Sequence, residues 1–120
     1  MFGVNPGNAA RANEAYRRVL CTTPDFQLVV MKLAPHQRID IEEHRDATQY
    51  IVVEEGTCVV TMISKHNKPD VHKHLKAGDA VVIWKKHLHR VDAGPNGARL
   101  STIYSSPQHP ADLVQESSED

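Results

Sequence analysis

The stretch IEEHRDATQ, residues 41–49, crowds two glutamates, a histidine, an aspartate and a glutamine together, and His89 follows forty residues later. On extended backbone, residues two apart face the same side, so Glu42 and His44 can point at one ion. RDAT after them is polar and turn-like, and a single turn there lets Gln49 rejoin the pair in one pocket. Downstream, Gly78-Asp79 opens the strand AVVIW, KKHL turns, and His89-Arg90-Val91 begins another strand. Antiparallel pairing can bring His89 against Gln49 and His44. Glu42, His44, Gln49 and His89 would together offer two oxygens and two imidazole nitrogens. That set suits a divalent transition metal (Fe, Mn, Ni, Co or Zn) with positions left open for water or substrate. The same letters also spell a solvated polar turn, and spacing alone leaves both readings standing.

The elements that must position these residues are short and extended. AYRRVLC, FQLVVMKL, YIVVEEG, TCVVTMI, VHKHL, AVVIW, HRV and ARLSTIY are runs rich in β-branched and apolar residues, separated by TTPD, APHQ, HNKPD, KAGD, AGPNG and SSPQHP. Some eight strands at this spacing predict an all-β sandwich or barrel. Asn8 to Arg18 is either a helix without a clear apolar stripe or an irregular arm ending in a strand. Residues 1–15 read as an N-terminal arm, 16–110 as the barrel domain, and 111–120 as an acidic flexible tail with nothing to bury.

A chain of 120 residues, 40% apolar and 24% charged, holds one core and is too short for two ordinary domains. A formal charge of −1 gives no footprint for nucleic acid, and no apolar run reaches the roughly 18 residues of a membrane span. MFGVNPGNAARANE lacks the basic and apolar start of a signal peptide, so a cytoplasmic location is expected. Cys21 and Cys58 fit neither a disulfide framework nor a zinc knuckle and read as small buried residues.

Eight histidines are the compositional outlier. His87 lies two before His89 and is its rival as ligand. His72 and His74 alternate against Val71, Lys73 and Leu75, which makes them a surface pair. His36 and His66 fall in turns and His109 in the exit, where exposure is the default. Arg90 and Lys86 are candidate anchors for an anionic substrate, Trp84 and Tyr50 candidate wall residues of the barrel mouth, and Tyr104 reads as wall.

These residues resemble the motifs of the small single-domain cupins. The family's first motif, approximately G-x5-H-x-H-x3,4-E-x6-G, is matched by Glu42-x-His44-x4-Gln49-x6-Gly56, and its second, G-x5-P-x-G-x2-H-x3-N, by Gly78-x5-Trp84-x-Lys86-x2-His89-x3-Ala93. The resemblance runs from about Tyr16 to Pro110, and one bacterial subgroup likewise carries Glu, His and Gln at the first motif's ligand positions. It implies a double-stranded β-helix jelly-roll barrel with metal bound by Glu42, His44, Gln49 and His89. Departures are His36 for the leading glycine, Trp84 and Lys86 for the Pro and Gly of the second motif, and Ala93 for its Asn. Trp and Lys are expected to form that turn only with different backbone angles.

Two functions follow as expectations. One is a metal-dependent enzyme acting on a small oxygenated or sugar-like molecule held in the barrel. Isomerisation of a hydroxy-carbonyl compound suits a redox-inert ion, and dioxygenase-like cleavage needs Fe(II) or a similar metal. The other is a non-catalytic jelly roll without metal, serving as a ligand-binding or assembly module. A homodimer is expected in either case, because small barrels commonly pair their sheets.

Overall fold

The computed structural model describes residues 1–119. Along the chain come α1 (Pro6–Ala12), β1 (Arg17–Thr23), β2 (Phe26–Leu33), β3 (Arg38–Glu42), β4 (Thr48–Met62), β5 (Val71–Lys76), β6 (Ala80–Ile83), β7 (His89–Ser105) and β8 (Val114–Gln115). The expected all-β, double-stranded β-helix jelly roll is what these strands build. YIVVEEG with TCVVTMI, and HRV with ARLSTIY, are each one long strand rather than two. β4 and β7 pair antiparallel from Thr48↔Ser105 to Met62↔His89.

Both long strands serve two halves of the barrel. Residues 48–53 of β4 and 100–105 of β7 are flanked by β6 and β2, with β1 and β8 beyond. Residues 58–62 of β4 and 89–93 of β7 are flanked by β5 and β3. Between the halves the register slips twice, at Val53/Glu55 and Gly56/Cys58. Gly56 and Gly97 lie there with φ of 82° and 78°, and a Cβ on Gly56 would stand 2.2 Å from the Gly97 carbonyl oxygen. Only glycine permits both the backbone angle and the close approach that let the paired strands bend together.

Alternation decides which side chains fill the interior. Gln49, Ile51 and Val53 point inward while Tyr50 is exposed. Ile51 and Val53 form one core with Val29, Met31, Val60, Val91, Leu100 and Tyr104, each large aliphatic side chain contributing about 1.5–3 kcal/mol through removal from water. Cys58 belongs to this core, and burial pushes its thiol up to about 11, so it is an inert apolar group as expected.

The ends differ from their expected form. The helix is shorter than Asn8 to Arg18: Asn5 caps its start and Asn13 stops it. Asn13 adopts extended backbone, and its side chain exchanges hydrogen bonds with Ala15 that lead the chain into β1. Residues 111–115 do have something to bury. Leu113 packs against the core, and Val114 and Gln115 pair with Arg18 and Arg17 as an edge strand.

The turn before β7 corrects another expectation. Lys86 replaces the glycine of the second motif yet keeps the left-handed backbone, with φ of 70°, and His36 at the first motif's glycine position does the same at 59°. Non-glycine residues adopt that region at a cost of about 1–2 kcal/mol. Hydrogen bonds hold both in place: the Lys86 N–H donates to the His44 carbonyl at 2.8 Å, and the His36 N–H to that of Gly94 at 3.0 Å.

Candidate metal centre

Glu42 closes β3, and the register sets it directly opposite His89, the first residue of β7. His89 therefore pairs with Glu42 and with Met62, rather than against Gln49. His44 lies beyond the end of β3, where the bond from the Lys86 N–H to its carbonyl ties the two motif turns together. One potential ligand atom from each of Glu42, His44 and His89 falls within 4.8 Å of the others. Donors at roughly 2.1 Å from one tetrahedral ion stand about 3.4 Å from each other, so side-chain rotations that draw the three together bring them into ligating range. His87 is exposed and outside this group, its Nδ1 lying 3.1 Å from the Lys85 carbonyl oxygen.

Each ring is held in a way that leaves a nitrogen for other use. His89 is 3% exposed and its Nδ1 lies 3.0 Å from the His87 carbonyl oxygen, an arrangement that puts the proton on Nδ1 and the lone pair on Nε2. His44 Nε2 is 3.0 Å from Glu42 Oε2, a contact that helps hold the Glu42 carboxyl down, and it has no other polar partner within the chain. The two rings lie 5.4 Å apart.

Gln49 enters from the other half of the barrel. Its Nε2 donates to Thr102 Oγ1 at 3.1 Å and to the Tyr104 hydroxyl at 3.2 Å, while its buried Oε1 accepts from nothing in the chain. Tyr104 ties the groups together, with its ring edge-on to both His44 and His109 at 5.2 Å.

The charges are arranged around Glu42. Burial raises the Glu42 carboxyl, but His44 beside it, with Arg17 and His89, more than offsets this and holds it below the usual carboxylate range. Burial pushes the His89 imidazole down, partly countered by its bond to the His87 carbonyl, so the ring is neutral at neutral pH as a metal ligand must be. A carboxylate, two imidazoles and an amide oxygen are donors that first-row divalent ions accept.

Two residues that sequence reasoning passed over join the cluster. Arg17 on β1 is 9% exposed, and its Nη2 lies 3.9 Å from Glu42 Oε1. A signal existed, because Arg17 shares the parity of buried Val19 on a strand that alternates. His109 sits in the exit segment, where exposure is the expectation, yet its Nε2 is buried without a partner in the chain, and burial with the nearby Arg17 charge pushes the ring down to about 4. Nothing local announces this, since His109 is anchored by Gln27, 82 positions away. Of the expected anion anchors, Arg90 is 3.1 Å from Asp92 and Lys86 is exposed. Tyr104 is a buried wall, Trp84 is 66% exposed, and His72 is a surface residue with Nδ1 2.8 Å from Thr61 Oγ1.

Comparison with known proteins gives this arrangement its context. A family model described as Cupin matches residues 23–116. Protein L612 of Acanthamoeba polyphaga mimivirus is 36% identical over 92% of this chain, and YrkC of Bacillus subtilis (strain 168) is 28% identical over 99%. The chain spans 68% of the first relative and 64% of the second, about two thirds of either. The crystal structure of BH2720 from Bacillus halodurans superposes with a TM-score of 0.90 at 30% identity, covering 96% of this chain and 88% of that one.

Proposed function

The chain belongs to the cupin family, and from that premise we propose that Glu42, His44, Gln49 and His89 hold a divalent transition metal that serves chemistry on a small oxygenated molecule. One observation carries this reading. Among the described residues, Arg17 Nε, Gln49 Oε1 and His109 Nε2 are buried without a hydrogen-bond partner in the chain, and buried His44 Nε2 has only the Glu42 carboxylate beside it. All four residues belong to one cluster joined through Glu42 and Tyr104. Unpaired buried polar atoms cost about 1–3 kcal/mol each, so their concentration in one place is what a ligand site requires and a purely structural core avoids.

The protein groups divide the work. Glu42 supplies the negative charge, His44 and His89 the firm nitrogen donors, and Gln49 an exchangeable amide oxygen. The bond from His89 to the His87 carbonyl and that from Lys86 to the His44 carbonyl fix the donors before any ligand arrives. A divalent ion held there supplies Lewis acidity toward a carbonyl or hydroxyl, with isomerase-like chemistry for a redox-inert metal and dioxygenase-like chemistry for iron.

Elemental analysis of untagged protein, purified without chelator, tests the assignment. We expect about one transition metal per chain, its loss in His44→Ala and His89→Ala with the fold intact, and a modest decrease in Gln49→Ala. Full occupancy in either histidine variant would sink the ligand set.

A second reading, a ligand-binding or assembly module without metal, is favoured by the exposed Val71, Val82 and Trp84 around the apolar groove between β5 and β6. The same face would serve the homodimer that belongs to either reading. Absence of metal after incubation with Fe, Mn, Ni and Zn salts, with unimpaired folding, selects this alternative, and light scattering tests the dimer.

A further inference from the structure

Arg17 is a buried cation with donors to spare. Its Nη1 donates to Gln115 Oε1 at 2.6 Å, its Nη2 is 3.9 Å from Glu42 Oε1, at the outer limit of an ion pair, and its Nε has no partner in the chain. A guanidinium offers five N–H donors in a planar fork, and taking it out of water is costly unless they are used. Arg17 and Glu42 also share a cavity of about 440 Å³, lined in addition by Tyr16, Arg38, Asp40 and Gln115, in which Glu42 is the one metal donor that reaches the wall. That volume falls in the range of roughly 300–1,000 Å³ typical of small-molecule sites.

We propose that Arg17 anchors the carboxylate of a small acid whose adjacent hydroxyl or carbonyl oxygen faces the Glu42, His44 and His89 donors, an inference that rests on the metal assignment above. The charge balance carries it. In the free protein the half-buried Glu42 is the carboxylate that stands within ion-pair range of Arg17. Once Glu42 serves a divalent ion, one carboxylate stands against an ion and a guanidinium, leaving two positive charges uncompensated in a largely buried place. A dianionic ligand restores the balance, a monoanionic one halves the excess, and a neutral sugar does neither.

The other charged groups of the cavity do not take over this role. Arg38 is engaged by Asp92, with Nε to Oδ1 at 2.6 Å. Asp40 and Glu119 at the wall are exposed, where water screens them. A guanidinium fork matches a carboxylate in two parallel hydrogen bonds, and the nearness of Arg17 to Glu42 sets the anion beside the donor cluster. His109, with its buried unpaired Nε2 and its ring edge-on to Tyr104, offers a further hydrogen-bonding group.

The test is calorimetric and independent of turnover. Zinc-loaded protein, its occupancy measured first, is titrated with lactate, with the neutral isostere lactamide, and with inorganic phosphate. Lactate is expected to bind, and lactamide to bind at least tenfold more weakly. Arg17→Gln should weaken lactate at least tenfold, Arg17→Lys less, and Arg90→Gln not at all. Should Arg17→Gln fail to fold or load zinc, Arg17→Lys decides, because it keeps the charge and loses the fork. Failure of the wild type to take up zinc, and likewise iron, manganese or nickel, sinks the metal reading and this inference with it. Normal zinc uptake with lactate affinity unmoved by either Arg17 variant sinks the inference alone. Phosphate bound as tightly as lactate, and equally dependent on Arg17, overturns the carboxylate as the ligand class.

Discussion

Tyr104 stands between two buried glutamines, and the two are put to opposite use. The register sets Gln27 of β2 against it on one side and Gln49 of β4 on the other. Gln27 spends its whole amide: Nε2 donates to Thr22 Oγ1 and the His109 carbonyl, and Oε1 accepts from the backbone N–H groups of Gln108 and His109. Gln49 donates through Nε2 and leaves Oε1 without a partner in the chain. The same residue type, equally buried and a strand apart, is a structural clamp in one place and an unspent acceptor in the other. Burial of a polar group therefore does not mark a site. Unsatisfied burial does, and in this chain it gathers around Glu42 and His44.

One substitution made at both positions would break the comparison if it is mistaken. Gln27→Leu strands the Gln108 and His109 N–H groups and the His109 carbonyl together. At about 1–3 kcal/mol for each buried orphan, a loss of about 3 kcal/mol or more is expected. Gln49→Leu removes an oxygen that is already unpaired, and the Thr102 and Tyr104 hydroxyls that lose its donor still bond each other, so its cost should stay under about 1.5 kcal/mol. Urea unfolding in the presence of chelator reads both. Equal losses would mean that the metal-free protein depends on the two amides alike.

His109 joins the two regions, with its backbone in the Gln27 clamp and its ring against Tyr104, and acid should expose that link. The ring is pushed from the ordinary 6.5 down to about 4 in the folded protein, so between those values the unfolded chain binds the additional proton. Its contribution to stability is then complete above about pH 6.5 and is lost progressively as the pH falls toward 4. His109→Gln should flatten part of this acid limb in unfolding midpoints measured from pH 7 to 4. The rest belongs to groups such as His89, whose imidazole is also pushed down by burial. An unchanged limb would mean that the ring is solvated and does not belong to the cluster.

The fold was legible because its signals are local. β-branched runs, turn residues and the glycine of YIVVEEG mark strands without reference to distant residues, and the Glu42-x-His44-x4-Gln49 spacing marks a turn at the barrel end. What escaped depends on long-range pairing. His89 meets Glu42 rather than Gln49 because slips in β4 and β3 set the register, and bulges leave little trace in single-letter alternation. His109 looked exposed because its anchor, Gln27, is 82 positions away, and residues 111–115 looked unpartnered because β1 lies nearly a hundred positions before them. Arg17 was readable from parity and was missed because a charged residue in a strand is by default assigned to solvent.

The turn before His89 provides the finest test, because there the two motif turns meet through backbone alone. Lys86 holds φ at 70° while its N–H bonds the His44 carbonyl, so the side chain contributes strain and the backbone contributes the contact. Lys86→Gly should relieve about 1–2 kcal/mol of left-handed strain and give back about 0.5–1 through the freedom glycine gains in the unfolded chain. The net expectation is a stabilisation of no more than about 1.5 kcal/mol by urea unfolding, with metal occupancy unchanged because the bond to His44 survives. A gain in stability accompanied by a fall in occupancy would show that His44 needs a stiff turn as well as a bonded one. The unsatisfied region would then depend on rigidity that the Gln27 clamp obtains from hydrogen bonds alone.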